Sequence, residues 1–236
     1  MLKSKKSKKI ATSVFLLLEF LLFLLVQKSS GIKLTIVSYF VVILSSVFLF
    51  LNFEKTREYI LMQIASITTL LADYFLVVLN PIMDLPAMCF FSLTQICYFL
   101  RLYFESKNEK EKRLHLIFWI TFSLLTIGVT LLILNKKTDT LSLVSMFYYI
   151  NLVLNVIFAF LHFSKSKALA IGLLLFLLCD TVIGLNIMAK SYITSDLIEK
   201  INRFLSKMNW AWFFYVPSQA LLAISLIKLD KEKSSI

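Results

Sequence analysis

The chain has 236 residues, of which 59% are hydrophobic and 17% are charged, and its mean hydropathy is +0.82. A soluble domain is about 45–50% apolar and about 25% charged, so the composition excludes a soluble fold and intrinsic disorder. The net charge of +11 does not indicate nucleic-acid binding, because nearly all charges lie between apolar runs or at the termini. The three cysteines lie inside apolar runs without paired spacing, which argues against a metal or disulfide framework. The sequence therefore predicts an integral membrane protein.

Eight apolar runs are each long enough to cross a bilayer, for which about 20 residues are needed. They predict an all-α fold, a single bundle of eight transmembrane helices over residues 10–228. A basic cytoplasmic N-terminus precedes it at 1–9, and a cytoplasmic tail follows at 229–236. The predicted spans are 10–26, 34–53, 59–79, 87–103, 114–134, 141–163, 168–189 and 210–226. The first run is too long for a signal-peptide core and no small-x-small cleavage site follows it, so we expect it to stay as the first helix.

The distribution of basic residues predicts the orientation of this bundle. The connections on the side of the N-terminus contain 17 Lys and Arg residues, and those on the opposite side contain 8. By the positive-inside rule, both termini are expected in the cytoplasm of a cell-membrane protein. On the outer side, residues 195–208 alternate apolar and basic residues at helical spacing. This segment is predicted to form an amphipathic helix, either in the headgroup plane or packed on the outer loops.

Polar side chains inside membrane spans are energetically costly, so each one indicates a function or a contact within the bundle. Counted from the outer end of its helix, one set of them lies about 7–15 Å below the outer boundary, at a rise of about 1.5 Å per residue. Six helices contribute this set, which consists of Glu19, Asp73, Gln95, Tyr148, Asn151, Asp180, Tyr215 and Gln219. The common depth predicts one shared internal site, although hydrogen bonds between helices also explain the uncharged members.

Three carboxylates, Glu19, Asp73 and Asp180, lie deep within the apolar runs. No Lys or Arg is found at a similar depth to neutralise Asp73 and Asp180, which favours a functional role for that pair. Glu19 either serves the same site or snorkels from the first helix. The two histidines, His115 and His162, lie near cytoplasmic helix ends, and we expect them to be interfacial.

A weak internal repeat links two of these carboxylates. Residues 70–73 (LLAD) recur as residues 177–180 (LLCD), 107 residues later, and each copy is followed one helix on by an aromatic-x-x-x-Gln pattern. The repeat predicts two four-helix halves in the same orientation, related by an axis along the membrane normal, with Asp73 opposite Asp180. A match this short also arises by chance in a Leu-rich chain, so the repeat is a hypothesis.

At these positions the sequence resembles the YhhN, or lysoplasmalogenase-like, family of eight-helix membrane proteins. Residues 172–186 (GLLLFLLCDTVIGLN) are similar to the family's G-x-x-x-F-x-x-S-D segment, which ends in an Asn, here Asn186. Residues 215–219 resemble its closing Y-x-x-x-Q helix, residues 70–73 its L-L-G-D segment, and residues 91–98 its F-x-x-x-H-x-x-Y segment. The chain departs from these patterns at three positions, namely Ala72 for Gly, Gln95 for His and Cys179 for Ser.

The resemblance implies hydrolysis of the vinyl ether bond of lysoplasmalogens, which releases a fatty aldehyde and a glycerophospho-headgroup. Asp73 and Asp180 then correspond to a catalytic acid/base pair, by a logic that parallels two-carboxylate glycoside hydrolysis. The residues expected to orient water or the glycerol hydroxyl are Gln95, Tyr148, Asn151, Asn186, Tyr215 and Gln219. The expected partner is a lysophospholipid-like membrane lipid. No motif implies a metal, a nucleotide or a nucleophilic serine, so no cofactor and no metal are expected.

A non-enzymatic membrane protein is the alternative, either a lipid-binding or regulatory relative or a small-solute or proton-coupled carrier. Paired aspartates in a polar cavity also serve proton relays. Two features argue against a carrier: the single depth of the polar groups and the lack of a Gly- or Pro-broken helix around them. A cavity that opens sideways to lipid would favour the enzyme, and a path across the whole bundle would favour the carrier.

Overall fold

The computed structural model describes residues 5–51, 56–106, 108–134, 139–191 and 208–227, and every regular element in these ranges is helical. Seven helices are long and apolar enough to span a membrane, and the eighth has 15 residues. This confirms the predicted fold class of a polytopic helical bundle. The helices are α1 (Lys5–Lys28), α2 (Gly31–Leu51), α3 (Arg57–Asp73), α4 (Asp84–Glu105), α5 (Glu109–Leu134), α6 (Thr140–Leu161), α7 (Lys167–Ser191) and α8 (Trp210–Ile224).

The helices extend beyond several of the predicted apolar runs. Helices α1 and α5 each begin five residues before the predicted span, in Lys- and Glu-rich sequence. Lys and Glu are good helix formers, so a helix continues into water without an apolar face. The side chain of Asp139 accepts a hydrogen bond from the Ser142 amide at 2.8 Å and so caps the start of α6. The predicted amphipathic helix at 195–208 lies, except for Met208, outside the described residues.

Six helices form a closed ring in the order α2, α3, α4, α6, α7, α8, and the ring returns to α2. Helix α1 packs outside it against α2 and α8, and α5 packs outside it against α6 and α4. Each of these helix pairs has a counterpart four helices along the chain; for example, α3 with α4 matches α7 with α8. The spacing of 107 residues also relates Val37-Ser38-x-Phe40 in α2 to Val144-Ser145-x-Phe147 in α6. Both observations support two four-helix halves.

Helices α1 and α5 are the least buried of the seven long spans, and their outward faces are covered with leucine, isoleucine and phenylalanine. In hydrocarbon this exposure is favourable, so it identifies the lipid-facing surface. Glu19 lies on the inner face of α1, is 3% exposed, and accepts a hydrogen bond of 2.9 Å from the Ser45 hydroxyl of α2. Of the two readings of Glu19, the structure therefore excludes snorkelling.

Helix α3 changes its geometry next to a predicted site residue. Its α-helical part ends at Asp73, and a π-helical turn continues the chain from Tyr74 to Val78. This turn contains neither glycine nor proline, so nothing in the sequence indicated it. A π-helical turn widens the backbone spiral by one residue and occurs frequently at functional sites. Here it follows directly on the Asp73 carboxylate.

Arg101 joins α4 to the end of α8. Its side chain is 2% exposed, and its guanidinium donates to the Ser225 hydroxyl at 2.6 Å and to the Ser225 carbonyl at 3.2 Å. A cation at the C-terminal end of a helix satisfies carbonyls that have no partner within the helix. Arg101 therefore fixes the end of α8, the helix on which Tyr215 and Gln219 lie.

Candidate functional site

Two tyrosine–aspartate pairs lie inside the bundle. The Tyr215 hydroxyl of α8 donates a hydrogen bond to the Asp73 carboxyl of α3. The Tyr148 hydroxyl of α6 donates one to the Asp180 carboxyl of α7. Asp73 and both tyrosines are buried, and Asp180 is partly buried. A carboxyl away from water needs hydrogen-bond donors, and these two phenols supply them. Each pair joins residues from different helices, so it exists only in the folded bundle.

A chain of aromatic rings connects the two pairs. The ring of Phe91 in α4 lies 5.6 Å from Tyr148, and that of Phe176 in α7 lies 5.6 Å from Tyr215. The two phenylalanine rings are themselves 5.9 Å apart in an edge-to-face arrangement. Such contacts fix ring positions as well as bury area, so both phenol hydroxyls have defined positions.

Asp180 lies within electrostatic range of Asp73. Cys179, which is 3% exposed, lies within electrostatic range of both Asp73 and Asp180. The structure thus brings together four of the sequence-predicted residues, from α3, α6, α7 and α8, around one interior region.

Tyr39 of α2 is a neighbour of Asp73 that the sequence did not reveal. Its hydroxyl donates to the Leu70 carbonyl at 3.4 Å and lies within electrostatic range of Asp73. No local pattern distinguishes this tyrosine from the others in apolar runs, because its proximity depends on the packing of α2 against α3. Asp73 therefore has a hydrogen-bonded phenol from α8 and a second phenol, from α2, within electrostatic range.

The predicted amides have other contacts. Asn155 donates to both the side-chain oxygen and the backbone carbonyl of Gln95, at 3.0 and 2.9 Å, and so links α6 to α4. Asn151 donates to the Phe147 carbonyl of its own helix at 2.7 Å. Among the described hydrogen bonds, neither amide contacts a carboxyl of the pair. Asn186 lies six residues beyond Asp180 on α7, about 9 Å further along the helix at a rise of about 1.5 Å per residue.

Three of the predicted site residues each have a buried amide atom without a hydrogen-bond partner among the described residues: Gln95 Nε2, Asn151 Oδ1 and Gln219 Nε2. Gln219 borders a small cavity whose lining includes Ser45, Ser66 and Tyr98, with a volume of about 10 Å³. A polar cavity of this size holds about one water molecule. The Gln219 amide can therefore bind a water molecule in this cavity, whose lining includes neither Asp73 nor Asp180.

A shallow apolar groove runs along the lipid-facing side between α5 and α6. Its volume is about 310 Å³, and its lining includes Leu125, Val129, Met146 and Tyr149. The Tyr149 hydroxyl lies 3.1 Å from the hydroxyl of Thr181, which directly follows Asp180. Tyr149 therefore links the lining of the groove to α7, at the residue that follows Asp180.

The two histidines lie near helix ends, as the sequence indicated, and both are buried among neighbouring side chains. His115 and His162 are 3% and 4% exposed, and their ring centres are 5.3 Å apart. Helices α5 and α6 pack against each other, and this packing encloses both rings. Their position at the ends of the apolar runs gave no sign of the contact.

Comparison with known proteins identifies the family of the chain. The model of the YhhN family matches residues 35–226, about four fifths of the chain. The match begins in α2 and ends just beyond α8, so it includes both tyrosine–aspartate pairs. No curated protein and no solved structure is significantly similar to the chain. With a family match over this length of its membrane-spanning region, the chain belongs to the YhhN family.

Proposed function

We propose that this multi-pass membrane protein is a lysoplasmalogenase-like hydrolase that cleaves the vinyl ether bond of lysoplasmalogens. The main support is the geometry of Asp73 and Asp180, two interacting carboxyls that are each hydrogen-bonded to a tyrosine inside the bundle. Vinyl ether hydrolysis needs one carboxyl that holds a proton and one that is ionised. Two carboxyls at interacting distance meet that requirement, because repulsion disfavours ionisation of both. Membership of the YhhN family agrees with this activity.

The reaction begins when the protonated carboxyl of the pair transfers its proton to the vinyl carbon that is not bonded to the ether oxygen. The resulting oxocarbenium ion is stabilised by the ionised carboxyl, which also accepts a proton from the attacking water. The product of this step is a hemiacetal. Its collapse breaks the carbon–oxygen bond to glycerol, moves the hydroxyl proton to the leaving oxygen, and releases a fatty aldehyde and the glycerophospho-headgroup.

The tyrosines position the carboxyls for this chemistry. Tyr215 and Tyr148 each occupy one carboxyl oxygen, so the other oxygen of each group is directed to substrate or water. The buried amide of Gln219, beside a cavity of about one water, can supply or orient the nucleophile. Gln95 occupies the position of the family's histidine and is hydrogen-bonded to Asn155, so it contributes structure instead of a titrating group.

Substrate reaches the site from the membrane. The groove between α5 and α6 is apolar and lies on the lipid-facing surface, which suits the single hydrocarbon chain of a lysophospholipid.

The orientation predicted from Lys and Arg places the headgroup on the outer side, with both termini cytoplasmic. Reporter fusions at residues 136 and 234 are expected on opposite sides of the membrane, and reporters on the same side would reject this topology.

The activity is tested with the purified chain in nanodiscs and three lysophospholipids of one headgroup. They carry a vinyl ether, an alkyl ether and an acyl chain. Aldehyde release is followed through reduction of NAD by a coupled aldehyde dehydrogenase. Only the vinyl ether lipid is expected to yield aldehyde, because the alkyl ether has no carbon–carbon double bond to accept a proton. Absence of aldehyde from all three lipids would reject the proposed function.

Deuterium labelling tests the mechanism itself. When hydrolysis takes place in D₂O and the aldehyde is reduced as it forms, the product is expected to contain one deuterium at the carbon next to the former carbonyl. Protonation of the vinyl ether at that carbon by a deuterated carboxyl introduces the deuterium. An aldehyde without this deuterium would contradict protonation at carbon, even if the lipid is hydrolysed.

Substitution of the carboxyls identifies the catalytic pair. Asp73→Asn and Asp180→Asn are each expected to lower the rate by at least about 100-fold, the usual effect of losing an essential acid or base. Asn keeps the side-chain volume and a hydrogen-bonding edge, so both variants should fold. Asp84→Asn, a matched change at an exposed position in the first turn of α4, should leave the rate unchanged. Two Asn variants with the parent rate would reject the pair.

A further inference from the structure

A second polar cluster lies at the other end of the bundle, where α5 begins and α6 ends. Glu111 and His115 are four residues apart on one face of α5, and His162 immediately follows α6. Each of the three residues offers a ligand atom, and these atoms all lie within 4.8 Å of one another. The Glu111 carboxylate and His162 Nε2 are 2.8 Å apart. These residues are referred to as the Glu-His-His trio.

The hydrogen bonds of His162 determine which of its nitrogens is free for a ligand. Its Nδ1 lies 3.0 Å from the Phe158 carbonyl, which only accepts, so Nδ1 bears a proton. In a neutral ring Nε2 then has a lone pair, and that lone pair faces the carboxylate of Glu111. Two acceptors at 2.8 Å repel each other unless a proton or a metal ion lies between them. A histidine fixed in this way by a backbone carbonyl is typical of metal sites.

The other two members of the trio also have features of ligands. His115 is 3% exposed, stacks on the Phe158 ring at 4.4 Å, and its Nδ1 has no hydrogen-bond partner among the described residues. A buried imidazole nitrogen without a partner is costly. One oxygen of Glu111 accepts a hydrogen bond from the buried Ser106 hydroxyl, which orients the carboxylate from the outer shell.

From these contacts we propose that the Glu-His-His trio binds a divalent transition-metal ion, with zinc as the favoured metal. Two imidazoles and one carboxylate form a ligand set that zinc uses in four-coordinate sites. Calcium and magnesium prefer oxygen ligands throughout, so they fit poorly. Glu111 is 36% exposed, and water can therefore reach the fourth coordination position from the surface.

Bound zinc would fasten α5 to the rest of the bundle. Helix α5 packs outside the ring of six helices, mainly on α6, and is among the least buried spans. Two ligands come from α5 and one from the end of α6, so the ion would join the two helices that border the apolar groove. A metal that binds only the folded state raises its stability by mass action.

One neighbouring cation opposes metal binding. The charge of Lys165 acts on both Glu111 and His115, and its amine lies 3.4 Å from the Glu105 carbonyl. Lys165 is exposed, so solvent and salt weaken this repulsion. Lys165→Gln is therefore expected to bind zinc at least as tightly as the parent protein, whereas removal of a ligand weakens binding.

The test uses the full chain purified through a tag without histidine, because a polyhistidine tag would itself bind zinc. Zinc affinity is measured by competition with a chromophoric chelator at pH 7.5, and cobalt is added in a second experiment to read the ligands from its visible spectrum. The variants are His115→Ala, His162→Ala and Glu111→Gln. Glu109→Gln is the matched control, since Glu109 is exposed, two residues away, and outside the trio.

The parent protein and Glu109→Gln are expected to bind one zinc per chain with equal affinity. Each trio variant should lose at least about tenfold in affinity, since even outer-shell changes cost about 10–100-fold. The cobalt spectrum should show nitrogen and oxygen ligands without a thiolate band. Zinc should raise the Tm of the parent and of Glu109→Gln, but not that of the trio variants. A parent protein that binds no zinc, or histidine variants that bind it equally well, would show that the trio is an ion pair only. If a histidine variant does not fold, the zinc affinity of Glu111→Gln is compared with that of the parent instead. This substitution is at a partly exposed position, so it should leave the fold intact.

Discussion

Gly172 of α7 lies where the helix packs most closely on α8, and adding one methyl group there should destabilise the bundle. In Gly172→Ala, the new Cβ would lie 3.1 and 3.2 Å from two side-chain carbons of Leu222 and 3.3 Å from Leu221 Cβ. Carbon atoms prefer separations of about 3.5–4.0 Å. Leu222 is 2% exposed and has little room to move, and the Leu221 Cβ cannot move without its backbone. The helices must therefore separate slightly.

The magnitude follows from a matched pair of substitutions in the same helix. Gly184, twelve residues further along α7, has nothing within 4 Å of an added Cβ. Both Gly→Ala changes gain about 0.8–1.0 kcal/mol of helix propensity, so this gain cancels in the comparison. The remaining difference is the overpacking cost at position 172, about 1–3 kcal/mol. This corresponds to a difference of about 5- to 150-fold between the two unfolding equilibria.

Unfolding in mixed micelles at increasing SDS, followed by tryptophan fluorescence, measures this difference. Two of the three tryptophans, Trp210 and Trp212, lie on α8, so much of the signal reports on the helix that Gly172→Ala displaces. The displacement should also lower activity, because Ser218, which donates to the Gly172 carbonyl at 2.8 Å, is one turn from Tyr215. Equal free energies of unfolding for the two variants, within about 0.5 kcal/mol, would refute the proposed close packing.

Two further predictions concern side-chain hydroxyls and a helix cap. Tyr215→Phe and Tyr148→Phe keep the ring contacts but lose the hydrogen bond to a carboxyl, worth about 1.5–3 kcal/mol, so aldehyde release should fall about 10- to 150-fold. Tyr103→Phe should retain the parent rate, and a parent rate in the first two variants would refute the role of the hydroxyls. Hydrogen bonds from Ser142 lower the pKa of the Asp139 carboxyl, which caps α6. The cap therefore stabilises the fold fully at pH values above the ordinary aspartate pKa of about 3.9. This stabilisation is lost as the pH falls through the lowered pKa of Asp139. Asp139→Ala should therefore lower the Tm at neutral pH, with a difference that disappears in acid; a difference independent of pH would contradict this origin.

The two aspartates show how far sequence reasoning reaches. A carboxylate in an apolar run is recognisable without a structure, because the cost of placing it in hydrocarbon makes it rare. The repeat related Asp73 to Asp180, and the paired helix contacts of the two halves support that relation. The sequence also predicted that Tyr215 or Gln219 reaches one of the aspartates, and Tyr215 does reach Asp73. It did not show which tyrosine meets which aspartate, because Tyr215 lies 142 residues from Asp73 and contacts it only through the packing of α8.

The histidines show what sequence reasoning missed. His115 and His162 lie at the ends of separate apolar runs, where a polar residue needs no special explanation. Only the approach of α5 to α6 encloses both rings and places Glu111 beside them. Likewise, nothing in residues 59–79 distinguishes a straight helix from one with a π-helical turn after Asp73.

By itself, the sequence determined that this is a multi-pass helical membrane protein with carboxylates in its interior. Those properties follow from composition and periodicity, because the transfer of each side chain from water to hydrocarbon depends mainly on its own chemistry. The tertiary structure alone decided which phenol meets which carboxyl, where Gly172 permits close approach, and that two histidines share a buried cluster with Glu111. These features depend on helix rotation and register. Hydrophobicity does not fix either of them, because it has no direction, and they result from the shapes of side chains that pack at van der Waals distance.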